Sequence, residues 1–127
     1  MQKKIKITAQ KILEILKISN SNLEIFLVSN ELMRNINKEY RGKDKETNIL
    51  SFKAAKVPRP DSSLRHLGEI YLAPDYISYH NEDIRTLLIH GILHLLGYEH
   101  ECGNIKKAKL MESKEKEVAK KAGFILK

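Results

Sequence analysis

The sequence predicts an α+β fold in a single domain: a small mixed sheet of about four strands packed with about five helices, with a metal site on the central helix and its following turn. Three observations lead there. Segments with strand-type apolar patterning are interleaved with segments whose apolar residues recur every three to four positions, in the order strand, helix, strand, helix, strand, strand, helix, helix, with one short helical turn added. A chain of 127 residues suits one domain with a real core and is too short for two comfortable ones, so residues 1–127 are read as one unit. A composition of 42% hydrophobic and 31% charged residues, without repeats or low-complexity tracts, is that of an ordinary globular protein rather than a disordered one.

Taken in order, Lys3 to Ile7 reads as a short edge strand because Ile5 and Ile7 alternate with lysines. Thr8 is then the N-cap of a helix carrying Ala9, Ile12, Leu13 and Leu16, which ends near the polar turn at 19–22. Leu23 to Val28 is rich in branched and aromatic residues and reads as a buried strand. Ser29 or Asn30 caps a second helix with Leu32, Met33, Ile36 and Tyr40 on one apolar, core-facing side, and Gly42 ends it. A charged loop leads into the extended run Asn48 to Phe52. Residues 53–66, with Pro58, Pro60, Ser62 and Ser63, form an aperiodic loop. Gly68 to Ala73 is another strand, which the preceding loop allows to pair antiparallel with Phe52 and its neighbours, whereas strands separated by helices should pair in parallel. Pro74 to Tyr79 is a helical turn. Asn81 caps the main helix, whose Ile84, Leu87, Leu88, Gly91, Ile92 and Leu95 make a broad apolar stripe. Asp83 and Thr86 lie towards its histidine side, where they could orient a ligand. Asn104 opens a last, lysine-rich helix with Ile105, Ala108, Met111, Val118 and Ala122 inward and Gly123 at its stop. Phe124 to Leu126 should dock back on the core.

Composition excludes some functions. The longest apolar region, Leu87 to Leu96, falls well short of the roughly 20 residues that span a bilayer. Lys3, Lys4 and Lys6 are not followed by a secretory apolar run, and the lone Cys102 permits no internal disulfide, so a cytoplasmic protein is expected. The net charge of +7 is unevenly spread. Residues 34–59 carry eight basic and three acidic groups and residues 101–127 eight and four, whereas residues 60–100 carry two and six. Two basic segments thus flank an acidic one, which suits a polyanion held beside a metal centre and would equally arise from solvated helices.

The stretch His90-Gly91-Ile92-Leu93-His94-Leu95-Leu96-Gly97-Tyr98-Glu99-His100 carries the chemistry. Positions four apart on a helix share a face, so His90 and His94 can offer two imidazole nitrogens to one ion. Gly97 is placed to end the helix in the left-handed conformation and return the chain, so that His100 can supply a third. Three neutral nitrogens with a fourth position open to water or substrate is the arrangement of catalytic zinc. The spacing matches the long zinc motif of metzincin proteases, except that Gly91 replaces the glutamate that serves there as general base. Either another group takes the proton, with Glu99, Glu101 and Asp44 near the motifs, or the ion must itself lower the pKa of water to about 7. Peptide hydrolysis is disfavoured.

Two stretches together resemble one family. The histidine motif and Asn37-x-x-Tyr40-Arg41-x-x-Asp44-x-x-Thr47-Asn48-Ile49-Leu50-Ser51-Phe52, with Leu67-Gly68-Glu69-Ile70 between them, are similar to the YbeY family of bacterial endoribonucleases. The resemblance implies that His90, His94 and His100 bind one zinc ion and that Arg41 lines the active cleft as a catalytic arginine. It also implies cleavage of single-stranded RNA, maturation of the small-subunit rRNA 3′ end, a part in ribosome quality control, and ribosomal proteins as possible partners; no membrane or DNA partner is expected. Asn48 stands where members usually carry aspartate, and Lys53 where proline is common. Two rival readings stay open beside the nuclease: a metal-dependent hydrolase of peptides or other bonds, and a non-catalytic ribosome-assembly factor with structural zinc.

Overall fold

In a computed structural model of the chain, residues 2–18, 21–54, 65–98 and 105–123 are described. They form α1 (Gln2–Ile15), β1 (Ser21–Leu27), α2 (Asn30–Arg41), β2 (Ile49–Lys53), β3 (Arg65–Leu72), α3 (Pro74–Tyr79), α4 (Ile84–Leu95) and α5 (Ile105–Ala122). The expected α+β domain is present, with three strands among the described residues instead of about four.

The missing strand is the N-terminal one. Residues 3–7 belong to α1, because Ile5 joins Ala9, Ile12 and Leu13 in a buried stripe spaced for a helix, while Ile7 faces out. Alternation over Lys4-Ile5-Lys6-Ile7 fits both periods, and the longer helical repeat wins. Thr8 is therefore not a cap: inside the helix its hydroxyl donates back to the Lys4 carbonyl at 2.9 Å.

The sheet has the order β1-β3-β2. β1 and β3 run parallel, so the parallel partner of β1 is not the next strand in sequence but the one after it, and β2 pairs antiparallel with β3 as expected. A register shift between Asn22 and Leu23 bulges the β1–β3 ladder just before Gly68. Gly68 has φ 143°, and a β-carbon there would collide with the Phe52 carbonyl oxygen, so only glycine lets β2 and β3 close at this point.

One face of the sheet packs on α4, with α1 and α5 behind it, around Ile12, Ile70, Leu72, Leu88, Ile92 and Met111. The other carries a smaller cluster of Met33, Leu50 and Ala73 beneath α2. Each fully buried aliphatic side chain contributes roughly 1.5–3 kcal/mol, so the larger cluster dominates stability. The face of α2 differs from expectation: Met33 and Asn37 point down, Ile36 is half-buried, and Leu32 and Tyr40 are exposed. The loop expected at 53–66 is shorter than that, because Lys53 ends β2 and Arg65 and His66 begin β3; its residues 55–64, the start of the last helix at Asn104 and the docking of residues 124–126 lie outside the described residues.

Candidate metal centre

α4 is the buried helix on which the site is built. It buries Leu88, Ile89, Gly91, Ile92, Leu93 and Leu95, leaving His90 and His94 half-buried. Its phase is fixed at the start by Asp83, whose carboxylate accepts from the Arg85 backbone N–H at 2.9 Å and pairs with the Arg85 guanidinium at 2.8 Å. Asn81, expected as the cap, instead takes a left-handed turn at φ 58° two residues earlier. The end of α4 is a Schellman motif. Gly97, at φ 103°, donates to the His94 carbonyl at 3.1 Å, and Tyr98 donates to the Leu93 carbonyl at 3.0 Å. The turn expected after the second histidine is therefore built.

His90 and His94 stand one turn apart, with β-carbons about 5–6 Å from each other by helix geometry. His100 lies outside the described residues, as do Glu99, Glu101 and Cys102. Among the described residues no three His, Cys, Asp or Glu side chains gather as a metal site, so two members of the expected triad are placed. The other described histidines serve elsewhere: His66 lies on β3 beside Asn22, and His80 stacks on Tyr76 at the end of α3.

A carboxylate approaches the first histidine from α5. Glu115 Oε1 lies 3.5 Å from His90 Nδ1. The sequence signal for it was available, since Glu115 sits four residues after the buried Met111 and three before the buried Val118, an inward helical position where an apolar residue belongs. Asp83, one of the two residues expected to orient a histidine, caps α4 and pairs with Arg85.

Position 91 faces the sheet, not the histidine side. A β-carbon on Gly91 would stand 3.0 Å from Ile49 Cδ1 and Ser51 Oγ and 3.2 Å from Ile70 Cδ1. A glutamate here would have to enter the core, so this helix cannot carry the protease base at that position.

Arg41 reaches the same strand from the other direction. It is the last residue of α2, where Gly42, at φ 68°, turns the chain in the left-handed region. The buried Asn37 side chain donates to the Lys45 carbonyl at 3.0 Å and holds the following loop. The Arg41 guanidinium donates to the Ser51 carbonyl at 3.3 Å and lies over the Phe52 ring, 5.8 Å from its centroid. Ser51 thus links the two stretches: its backbone holds Arg41, and its side chain lies against Gly91, next to His90. Beside Arg41 runs a row of aromatic rings, with Tyr40 on Phe52 at 5.5 Å, Phe52 on Tyr71 at 5.8 Å and Tyr71 stacked on Phe26 at 5.0 Å. Tyr40 is 66% exposed and Phe26 39%.

Two further site residues take definite places. Asp44 pairs with Arg34 at 2.8 Å and lies 3.9 Å from Lys38. The hydrogen bond from Arg34 holds its carboxyl below the usual range, which makes it a weaker base. Asn48 opens β2: its side-chain oxygen accepts from the Ile49 N–H at 2.7 Å and its amide donates to Glu82 at 3.0 Å.

Comparison with known proteins adds to this geometry. The sequence model of the family described as Endoribonuclease YbeY matches residues 1–123. An Endoribonuclease YbeY of Persephonella marina is 40% identical over 125 residues, covering 92% of this chain and 80% of that protein. One from a Sulfurihydrogenibium species is 40% identical over 121 residues, covering 87% and 76%. The solution structure of a Thermotoga maritima protein superposes with a TM-score of 0.57 at 31% identity, covering 92% of this chain and 79% of that one.

Proposed function

The chain belongs to the endoribonuclease YbeY family, and from that premise we propose that it is a zinc-dependent endoribonuclease acting on single-stranded RNA. Its task in this reading is ribosomal RNA processing at the small-subunit 3′ end, with a part in ribosome quality control, in the cytoplasm and in contact with the ribosome. The observation that carries the reading is the meeting, across Ser51, of Arg41 with the helix that bears His90 and His94.

The donor set fits zinc. His90 and His94 offer neutral nitrogen ligands one turn apart, the helix ends at the Gly97 turn as the motif requires, the motif gives His100 as the third ligand, and the buried Glu115 oxygen behind His90 suits a ring held for coordination. When bound, the ion supplies a Lewis acid for a phosphoryl oxygen and lowers the pKa of water to about 7.

The chain's own residues supply the rest. Arg41 holds its carbonyl partner at 3.3 Å, a long bond readily exchanged for a phosphate oxygen, which a guanidinium grips bidentately. Pre-set beside the scissile phosphate, it stabilises the charge that builds there. Tyr40 and Phe52 offer exposed and half-exposed rings for bases of an unpaired strand, and the basic charge of residues 34–59 draws the backbone in. Proton removal is left to a group other than residue 91, and the pairing of Asp44 with Arg34 makes Glu99 and Glu101 the better candidates. The placement of Gly91 against the sheet also weighs against peptide hydrolysis.

The test is cleavage of a structured RNA with single-stranded ends by metal-assayed protein, alongside His94→Ala, Arg41→Ala and a chelated sample. Loss of zinc and cleavage in His94→Ala, with Arg41→Ala keeping fold and zinc but cleaving about 10²–10³-fold more slowly, is the expected result. Equal cleavage by all samples, or RNA binding without turnover by any, would overturn the nuclease reading and favour the assembly factor.

A further inference from the structure

We propose that Glu115 is the positioning residue of the metal centre: its carboxylate takes the Nδ1–H of His90 and so turns Nε2 of that ring towards the ion. The proposal rests on the zinc reading of the histidines given above.

Burial comes first. The Glu115 side chain is 13% exposed, and its Oε1 is buried without a hydrogen-bond partner among the described residues, at 3.5 Å from His90 Nδ1. A carboxylate removed from water costs several kcal/mol unless it is paired and hydrogen-bonded, so a glutamate on the inward stripe between Met111 and Val118 calls for a compensating partner. Two lysines of the same helix that flank it, Lys114 and Lys121, pair with Glu117, at 3.2 and 3.1 Å. The group that stands within ion-pair distance of Oε1 is the His90 imidazole.

Geometry and tautomer follow. A neutral imidazole carries one N–H and one lone pair, and the acceptor beside one nitrogen decides which is which. With Glu115 beside Nδ1, the proton sits there and the lone pair is left on Nε2. The 3.5 Å separation is long for a hydrogen bond and within reach of an ion pair, so the carboxylate faces this nitrogen of the ring. The two helices carrying the pair pack directly against each other, so the carboxylate is supplied by a rigid element rather than a loop. A glutamate from α5 thereby does what the sequence of α4 alone leaves undone.

The experiment uses the full chain at fixed neutral pH. Zinc affinity is measured by competition with a chelator for the unaltered protein, Glu115→Gln and Glu115→Ala, with circular dichroism and melting followed on the metal-free proteins. In parallel, long-range ¹H–¹⁵N spectra of the metal-free proteins read the tautomer of His90. The expected result is about 10–100-fold weaker zinc binding in Glu115→Ala. Glu115→Gln should lie between, because an amide oxygen still accepts Nδ1–H. His90 should be the Nδ1–H tautomer in the unaltered protein and move towards Nε2–H in Glu115→Ala. Should Glu115→Ala fail to fold, the Gln variant and the tautomer of the unaltered protein decide. Unchanged affinity in the variants, or an Nε2–H tautomer in the unaltered protein, would overturn the proposal while leaving the zinc reading intact; absence of zinc uptake by the unaltered protein would remove both.

Discussion

The side-chain oxygen of Ser51 stands 3.0 Å from where a β-carbon on Gly91 would be, so β2 and α4 touch at a point where only a residue without a side chain fits comfortably. This contact sets how close Arg41, bonded to the carbonyl of Ser51, comes to the helix of the two histidines. It also shows why the sequence departs from the protease zinc motif where it does: on this helix the residue after the first histidine is a packing position.

Gly91→Glu should therefore unfold the protein rather than create a peptidase. It forces a carboxylate between Ile49, Ser51 and Ile70, adding overpacking of roughly 1–3 kcal/mol to the larger cost of an unpaired buried charge. A loss of more than about 3 kcal/mol in urea unfolding is expected. A stable, folded Gly91→Glu protein would contradict the placement of residue 91.

Much of this was legible because its signals are local. His90, His94 and Gly97 lie within eight residues, and helix periodicity with glycine's conformational freedom is enough to place them. Ser29 and Gly42 bracket α2 for the same reason. What the sequence left open depends on distant parts of the chain. The pairing of β1 with β3, the downward face of α2 with Met33 and Asn37, and the hold of Ser51 on Arg41 are decided by packing between segments far apart in sequence. Glu115 lies between these cases: its inward position on α5 is readable as a misplaced charge, but its partner His90 is not.

Asn37 is only 2% exposed, and its amide hydrogen bond to the Lys45 carbonyl is the buried tie between α2 and the loop after Arg41, beside the exposed pairing of Arg34 with Asp44. Asn37→Ala leaves that carbonyl without its donor and should cost about 1–3 kcal/mol in chemical denaturation. Amide exchange in residues 42–47 should accelerate more than exchange in α4, since the loosened segment is the loop and not the core. Uniform acceleration across the chain would show that Asn37 acts on global stability alone.

At position 48, where the family resemblance leads one to expect aspartate, the chain carries asparagine, and the structure gives its amide a use an aspartate lacks, donation to Glu82 at 3.0 Å. Asn48→Asp keeps the acceptor for the Ile49 N–H but sets two carboxylates face to face. In this partly exposed place the cost should be modest, about 0.5–1 kcal/mol at pH 7. Repulsion raises the carboxyl pKa in the folded state, so the loss should vanish as pH falls below about 4, where the groups are protonated. Urea midpoints at pH 7 and 3.5 check this. RNA cleavage is expected to stay unchanged; a tenfold gain in rate would instead give the family's aspartate a chemical role that asparagine forfeits here.

The Tyr71 hydroxyl donates to Glu69 at 2.7 Å, and this hydrogen bond, with burial and the neighbouring charge, pushes its pKa up to about 12 from an ordinary value near 10. The folded state therefore holds a proton that the unfolded chain releases between those values. Stability from the pair is fully present below pH 10 and is lost as pH rises towards 12. Because the pair is partly exposed, the loss across that window should be about 1–2 kcal/mol rather than the full value the shift implies. Tyr71→Phe keeps the ring stacked between Phe26 and Phe52 but has no proton to lose, so its urea midpoint should fall less steeply over the same range. Parallel curves for the two proteins would mean that the hydroxyl does not couple to folding, and that Tyr71 belongs to the aromatic row through its ring alone.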